Sequence, residues 1–289
     1  MAVARERQRA TDAMQTALST RFLANQRLTT VWLDRIWNAG IPEVEIFCAR
    51  QHLDYREPAQ LRELAYWFRD SALAVHALHA PLYSDDCWGR TGPHAAISLT
   101  ETVKSRRVEM VDEIKRAIDV GEYIPFRYLI QHLGAPGEEF DLRKMDAAFI
   151  ALEELSVFAH QRGVELLLKN TADGLSTASR LLHFLEVTHL RLGLCFDAGA
   201  AHRTGNLEAE FQLMKSRIRS THLHDNDGDQ DLHLLPGASG GTIDWKRLVA
   251  LLRSLEEPPP LVLELLEPPD GPRPLAAIRA ALDRLLSLP

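Results

Sequence analysis

The stretch THLHDNDGDQDLHLLPGASGGTIDW, Thr221–Trp245, follows an apolar run and places three histidines and four aspartates within twelve of its residues. It does not fit a helix–loop–helix calcium loop, because counting from Asp225 puts Pro236 at position twelve, where that loop needs a glutamate. On a strand, His222 and His224 lie two residues apart, so both side chains face the same side. We therefore predict that a strand carries both imidazoles to one site, where they suit zinc, manganese or a similar divalent ion.

Strand-length apolar runs alternate with amphipathic helical segments along the chain. The predicted strands are Leu18–Phe22, Val44–Cys48, Leu73–His79, Phe126–His132, Val164–Lys169, Leu192–Asp197, Ile218–His224 and Leu261–Glu264. The predicted helices are Leu28–Ala39, Pro58–Asp70, Ile97–Val120, Arg143–Arg162, Leu175–Glu186, Leu207–Lys215, Trp245–Leu255 and Pro274–Leu286. This alternation predicts an α/β protein, a (β/α)8 TIM barrel in which residues 1–289 form a single domain. A doubly wound open sheet is the alternative, but no glycine-rich phosphate fingerprint follows an early strand.

Composition and charge restrict the class of protein. The 289 residues are 46% hydrophobic and 25% charged, which is ordinary for a soluble globular chain. The formal net charge of −7 provides no basic surface for nucleic acid or an anionic membrane. The three cysteines are odd in number and widely spaced, which argues against a disulfide framework. The first ten residues, MAVARERQRA, lack the apolar core of an export signal, so we expect a cytoplasmic protein.

Polar side chains end most of the predicted strands. Six of the eight strands finish on a residue that can bind a metal ion or move a proton: His79, His132, Lys169, Asp197, His224 and Glu264. Because the active site of a (β/α)8 barrel lies at the carboxyl ends of its strands, we predict that these side chains converge at one mouth of the barrel. Asp231 and His233 follow on the next loop, close enough to supply outer contacts or a second cation site.

Several segments resemble one family of barrels. Thr221–Trp245 is similar to its His-x-His-Asp-Asn, Asp-x-His, Pro-Gly and Gly-x-Ile-Asp-Trp pattern, and the segments AGIPEVEIF, LHAPLY, LCFDAGAAH and LVLELLEP resemble its early and late strands. The family is that of the xylose isomerase-like TIM barrels, which holds sugar phosphate isomerases and epimerases, ketose 3-epimerases, inosose dehydratases and zinc-dependent apurinic endonucleases. The resemblance extends over most of the chain.

The resemblance implies a set of site residues. The metal ligands it implies are Asp197, a histidine of the 222/224 pair, Glu264 and Asp231, for a divalent ion such as manganese, zinc, magnesium or cobalt. His79, His132 and His233 match positions that bind substrate or extra metals in some branches. From its place in the loop after the third strand, Trp88 is a further candidate, because its ring could stack on the face of a sugar.

Two residues depart from the pattern of the family. Lys169 stands where members usually carry a metal-binding glutamate, and Ala200 stands where they tend to carry a histidine. Two like unit charges about 4 Å apart repel by about 4 kcal/mol at an effective dielectric of about 20, and a dication doubles that figure. A charged Lys169 would therefore weaken metal binding steeply.

Three functions remain open. In the first, Asp197, His222 or His224, and Glu264 hold a metal ion, and the chain is a sugar or sugar-phosphate isomerase or epimerase. Lys169, made partly neutral by burial and by the cation, would then act with Glu264 in proton transfer beside a sugar carbonyl.

In the second, Lys169 replaces the metal by pairing with Asp197 and Glu264, and the barrel is a non-catalytic or metal-free relative that binds a sugar or polyol. The third function, that of an apurinic endonuclease, is disfavoured by both departures and by the negative charge. We expect a small-molecule partner, no nucleic acid or membrane, and possible pairing as a homodimer.

Overall fold

Eight parallel strands form the wall of the barrel in the computed structural model, which describes residues 14–135 and 137–289. They are β1 Thr16–Ser19, β2 Glu43–Phe47, β3 Ala74–His79, β4 Tyr128–Gln131, β5 Glu165–Lys169, β6 Gly193–Asp197, β7 Ile218–His222 and β8 Leu261–Leu263. Each strand from β1 to β6 pairs with the next along the chain, and β1 also pairs with β8. An isolated bridge between Leu223 and Leu263 joins the end of β7 to β8. The predicted (β/α)8 barrel is confirmed. The segment MAVARERQRA and the start of the predicted domain lie outside the described residues.

Closure of the barrel depends on a short junction between the last two strands. The Leu223 backbone N–H donates to the Val262 carbonyl at 2.8 Å, and the Glu264 N–H donates to the Leu223 carbonyl at 3.1 Å. These hydrogen bonds place Glu264 beside Leu223, which lies between His222 and His224. The acid that follows β8 is thus held next to His222, the last residue of β7, and close to His224 beyond it.

The helices cover the outside of the wall. Within the described residues they are α1 Thr30–Asn38, α2 Pro58–Arg69, α3 Lys104–Asp119, α4 Leu142–His160, α5 Ala178–Thr188, α6 Ala198–Arg203, α7 Leu207–Met214, α8 Trp245–Arg253 and α9 Leu275–Ser287. Their apolar faces pack on the outward side chains of the strands. A smaller apolar cluster packs together on strands β3 to β6 and consists of Ala77, Tyr128, Ile130, Leu167 and Cys195. None of these helices meets the requirements of length and hydropathy for a membrane span.

The first strand is shorter than predicted and begins earlier. We predicted Leu18–Phe22, but the strand is Thr16–Ser19, and the chain then enters a 3-10 turn at Thr20–Leu23. Both ends of this segment are buried, so hydrophobicity alone does not separate strand from turn. The turn is held by Thr20, whose hydroxyl oxygen accepts a hydrogen bond from the Phe47 backbone N–H at 3.0 Å.

Two helices, α3 and α5, begin three or more residues later than predicted, and the helix α6 was not predicted. Helix α3 begins at Lys104 instead of Ile97, because the N–H groups of Ile97 and Leu99 donate to the carbonyls of Leu82 and Leu133 in the loop layer. The helix predicted from Leu175 begins at Ala178, after a turn anchored on the Asp173 carboxylate. The short helix α6 follows β6 directly, and the Asp197 side chain caps it by accepting from the Ala200 N–H at 2.8 Å.

The loop after β7 is organised around the buried Asp225 carboxylate. It accepts hydrogen bonds from the Gly237 N–H at 2.9 Å, the Ile243 N–H at 3.2 Å and the Trp245 indole N–H at 2.6 Å. Gly241 is required beside it, since a Cβ there would lie 2.3 Å from the Asp225 carboxyl carbon. The carboxylate thus ties the acidic loop to the start of α8.

We expect Asp225→Ala to destabilise the protein by about 3 kcal/mol, since hydrogen bonds to a buried charged acceptor are lost and their donors stay buried. Asp229→Ala, in an exposed part of the same loop, is the control and should change stability little. Urea unfolding measures both. Equal stability of the two variants would contradict the role assigned to Asp225.

Candidate active site

The carboxyl ends of the strands bring the predicted site residues to one mouth of the barrel. Lys169, Asp197 and His222 are the last residues of β5, β6 and β7, and Glu264 follows β8 directly. All four are buried, and Lys169 is only 4% exposed. Buried charged groups require partners, so the pairing of these four side chains defines the site.

The Lys169 ammonium bridges two carboxylates. Its Nζ lies 2.7 Å from Asp197 Oδ2 and 3.2 Å from Glu264 Oε2. Burial alone would lower the pKa of Lys169, but Asp197 and Glu264 raise the pKa above its ordinary value. In this arrangement both carboxylates stabilise the protonated amine, which favours a charged Lys169. A partly neutral Lys169 that acts as a base beside a bound cation stays a prediction.

Glu264 is the hub of the cluster. Besides Lys169, its carboxylate accepts a hydrogen bond from Arg21 Nη1 at 3.0 Å and lies 3.3 Å from His222 Nδ1. Burial would raise the pKa of Glu264, but His222, Lys169 and Arg21 hold the pKa well below its ordinary value. These cations favour the ionised form of Glu264, and its predicted role in proton transfer stays a prediction.

His222 forms a second buried pair on the other side of the hub. Its Nε2 lies 2.8 Å from Glu45 Oε2, and both side chains are fully buried. Burial would lower the pKa of His222, but Glu264 and Glu45 raise the pKa well above its ordinary value. The two carboxylates thus favour the imidazolium form of His222, which has no free lone pair for a metal ion.

His224 pairs with Asp197, and its ring packs against Gly199. His224 Nε2 lies 3.1 Å from Asp197 Oδ1, and the ring passes so close to Gly199 that a Cβ there would lie 2.0 Å from His224 Cε1. Burial opposes ionisation of Asp197, but Lys169 and His224 hold its pKa well below the ordinary value. His222 and His224 thus serve different carboxylates of one cluster.

The loop after β7 adds His233 and Asp231 above His224. The His224 and His233 rings are stacked with centroids 3.7 Å apart. His233 Nδ1 donates to the Glu264 carbonyl at 2.8 Å, and its Nε2 lies 3.5 Å from Asp231 Oδ2. Burial lowers the pKa of His233 to about 4, so its ring is neutral. The Asp231 side chain is 50% exposed and lies at the outer edge of the mouth.

The β1–β4 side of the mouth carries polar atoms without partners. His79 and His132 have ring centroids 5.1 Å apart, and their Nε2 atoms are buried without a hydrogen bond within the described chain. Burial lowers the pKa of His79 to about 4 and that of His132 well below its ordinary value. Phe47 lies against His79 with centroids 4.6 Å apart, and Trp88 lies against Phe47 at 5.4 Å. All three predicted substrate residues of this side thus lie together.

Among the residues that the structure describes, three groups of side chains are close enough to hold a metal ion. They are Asp197 with His224 and Glu264, His79 with His222 and Glu264, and His224 with Asp231 and His233; the candidate ligand atoms of each lie within 4.8 Å of one another. The predicted ligands are therefore brought together by the fold.

The charges of these groups do not fit a divalent ion. Three cations, Lys169, Arg21 and the imidazolium of His222, balance three carboxylates, Glu45, Asp197 and Glu264. In the outer group, Asp231 already lies 3.8 Å from Arg203 Nη1. A dication added to the balanced cluster would face Lys169 at a repulsion of about 8 kcal/mol at 4 Å and an effective dielectric of about 20.

Sequence reasoning missed two members of the cluster. Arg21 lies in the turn after β1, where a strand had been predicted to continue, so its position at the mouth was hidden. Glu45 lies inside the predicted second strand, Val44–Cys48, but was not assigned to the site. The signal was available: Glu45 stands within the apolar run of β2, and such a carboxylate must have a buried partner.

The sequence and the fold both match one family. A sequence model of the xylose isomerase-like TIM barrel matches residues 33–288. The chain belongs to this family. No curated protein sequence is similar enough to this xylose isomerase-like barrel to count as a match.

Solved structures share its fold at low sequence identity. A D-tagatose 3-epimerase-like protein is 21% identical, with a TM-score of 0.75, over 94% of this chain and 97% of that one. The 3-keto-D-glucoside 4-epimerase YcjR from E. coli, in its apo form, is 14% identical, with a TM-score of 0.73, over 94% and 98%. An IolI protein with a bound zinc atom is 16% identical, with a TM-score of 0.72, over 94% and 96%. At these identities the likeness establishes the fold alone.

The buried pairs predict a distinctive pH dependence. The raised pKa of Lys169 contributes stability that is present below the ordinary lysine value and lost only as pH rises through the higher folded value. The lowered pKa values of Asp197 and Glu264 contribute stability that is present above 3.8 and 4.5 and lost as pH falls through the lower folded values. We expect the contribution of Lys169, Asp197 and Glu264 to wild-type stability to be nearly flat from about pH 5 to 9. The raised pKa of His222 adds stability that is present below its ordinary value of 6.5 and is lost as pH rises through the higher folded value.

We expect Lys169→Met to reduce the free energy of unfolding by roughly 3–5 kcal/mol at neutral pH, because Asp197 and Glu264 lose a buried partner. The loss should shrink as pH falls from about 8 to 5, since the buried carboxyls then take up protons. Lys246→Met, at an exposed position, is the control. Denaturant unfolding across pH measures all three proteins, and a Lys169→Met variant with the wild-type pH profile would contradict the pairing.

Proposed function

We propose that this chain is a sugar isomerase/epimerase-like protein that binds a sugar or polyol at the barrel mouth and uses the Lys169 ammonium where relatives use a divalent cation. One observation carries the proposal: Lys169 Nζ lies 2.7 Å from Asp197 and 3.2 Å from Glu264, between the two carboxylates that would otherwise hold the ion. The epimerases among the proteins of the same fold support a sugar as the ligand class.

The ammonium can do part of the work of a metal ion. It has three N–H donors, and Asp197 and Glu264 engage two of them, so one can reach a ligand oxygen. A fixed cation in a buried site stabilises negative charge that develops on a sugar oxygen when a proton leaves the adjacent carbon. Lys169 is then an electrophile that remains protonated throughout.

The proton acceptor must come from another side chain. Asp197 and Glu264 are held ionised by cations and bind protons weakly, which leaves the neutral imidazoles. His79 Nδ1 donates to the Ala80 carbonyl at 2.8 Å, because a carbonyl can only accept, so Nε2 carries the free lone pair. With a pKa of about 4, His79 is a weak base, and we expect slow turnover.

Binding without turnover is the second candidate function. It is favoured by the pKa directions of Lys169 and Glu264, which hold both predicted catalytic groups in their charged forms. In this version the unpartnered Nε2 atoms of His79 and His132 bind ligand hydroxyls, and no proton moves to carbon.

The metal content of Lys169 variants tests the proposal. We expect wild-type protein to retain no stoichiometric divalent metal after dialysis against zinc or manganese, whereas Lys169→Glu should bind about one equivalent, because a third carboxylate replaces the cation. Lys169→Met is the matched control that removes the charge without adding a ligand. Circular dichroism checks that each variant is folded, and stoichiometric metal in the wild type would overturn the proposal.

Solvent deuterium exchange separates turnover from binding. Wild-type protein is incubated with a panel of ketoses in D2O and EDTA, and incorporation at carbon is followed by NMR. Metal-independent exchange that disappears in His79→Gln is the result expected for the isomerase. Binding of a sugar without exchange selects the second candidate, and exchange that requires added metal contradicts both.

A further inference from the structure

We infer that Arg21 is a specificity-determining residue and that it selects sugars carrying an oxyanion, either a carboxylate or a phosphate. The inference rests on the proposed function, since it assumes that a sugar binds at this mouth. It concerns which sugars bind, and it does not depend on whether they turn over.

Arg21 presents one edge of its guanidinium without a partner. Nη1 donates to Glu264 Oε1 at 3.0 Å, whereas Nε is buried and has no acceptor within the described residues. The guanidinium carbon lies 5.5 Å from the centre of the Phe47 ring, which supports one face of the group. Glu264 thus holds one nitrogen, and the edge formed by Nε and Nη2 is left to recognise something else.

That edge has the shape of an oxyanion receptor. Two parallel N–H groups on a rigid plane match the spacing of two oxygens in a carboxylate or a phosphate, and such bidentate hydrogen bonds are stronger than those to a neutral hydroxyl. A buried N–H without an acceptor is uncommon in proteins, which indicates that the acceptor comes from a ligand. The Arg21 side chain is 15% exposed, which places its guanidinium at the mouth of the barrel and not in the closed core.

The charges near Arg21 permit an anion. The carboxylates of the cluster each have a cationic partner: Glu45 pairs with His222, Asp197 with Lys169, and Glu264 with Lys169 and Arg21. No uncompensated carboxylate of this cluster therefore faces an incoming oxyanion. A neutral sugar, by contrast, would use the guanidinium edge only through weaker hydrogen bonds.

The remaining unpartnered atoms mark where the rest of the ligand would lie. Phe47 contacts Arg21 on one side and His79 on the other, and the unpartnered Nε2 of His132 follows. Trp88 packs on Phe47 and extends the aromatic wall. An oxyanion on Arg21 would thus direct the hydroxylated carbons of the ligand toward His79 and His132, along the β1–β4 side of the mouth.

Calorimetric binding to wild type and Arg21→Lys tests the inference. Lysine retains a positive charge for Glu264 but lacks the planar fork, and Arg27→Lys, at an exposed position in the following loop, is the matched control. The probes are glucitol and mannitol, gluconate and mannonate, and glucose 6-phosphate and mannose 6-phosphate. Inorganic phosphate alone shows how much the oxyanion contributes without a sugar.

We expect the better anionic probe to bind wild type and Arg27→Lys roughly 10- to 100-fold more tightly than its neutral counterpart, as charged bidentate hydrogen bonds allow. In Arg21→Lys this ratio should fall severalfold, because the ammonium lacks the planar fork, while neutral probes bind as before. Preference for the aldonates or for the sugar phosphates identifies the oxyanion. Equal affinity for neutral and anionic probes in the wild type overturns the inference and leaves the proposed function intact, whereas no binding of any probe overturns both.

Discussion

The Lys169 ammonium, held between Asp197 and Glu264, is the interaction on which the site depends. Two buried carboxylates from β6 and β8 cannot face each other across a barrel mouth without a cation between them. Here Lys169 supplies that cation from the chain itself. Arg21 and His222 pair with the neighbouring carboxylates and complete a set of three cations and three carboxylates. No uncompensated carboxylate of this set is then left for a divalent ion to neutralise.

Barrel geometry explains why such distant residues meet. The hydrogen bonds that join Leu223 to β8 set Glu264 beside the β7 histidines, and the missing side chain of Gly199 makes room for the His224 ring. The same geometry divides the mouth into two halves. On the β5–β8 side Lys169 pairs with Asp197 and Glu264, while on the β1–β4 side the Nε2 atoms of His79 and His132 have no partner within the described residues. The Nδ1 atoms of His222 and His224 are also without a hydrogen bond within the described residues.

Much of the architecture could be predicted from the sequence. Apolar runs of strand length indicate the wall of a barrel, and the polar residues that end these runs indicate the face that carries the site. That pattern identified Lys169, Asp197 and Glu264 as neighbours. It could not identify Arg21, whose contact with Glu264 spans 243 positions and depends on where β1 gives way to a turn. Nor could it decide the protonation of Lys169, because burial and paired carboxylates act in opposite directions and only their distances decide which prevails. The stacking of His233 on His224 likewise depends on a loop conformation that no periodic pattern encodes.

The most direct test of the account is a crystal structure of the wild-type protein soaked in manganese, with anomalous scattering recorded at the manganese edge. The account predicts no anomalous peak between Asp197 and Glu264, and continuous density for the Lys169 side chain with Nζ near 2.7 Å from Asp197 and 3.2 Å from Glu264. A manganese peak at about 2.2 Å from oxygens of both carboxylates, a distance typical of first-row divalent ions, with Lys169 turned away, would contradict it.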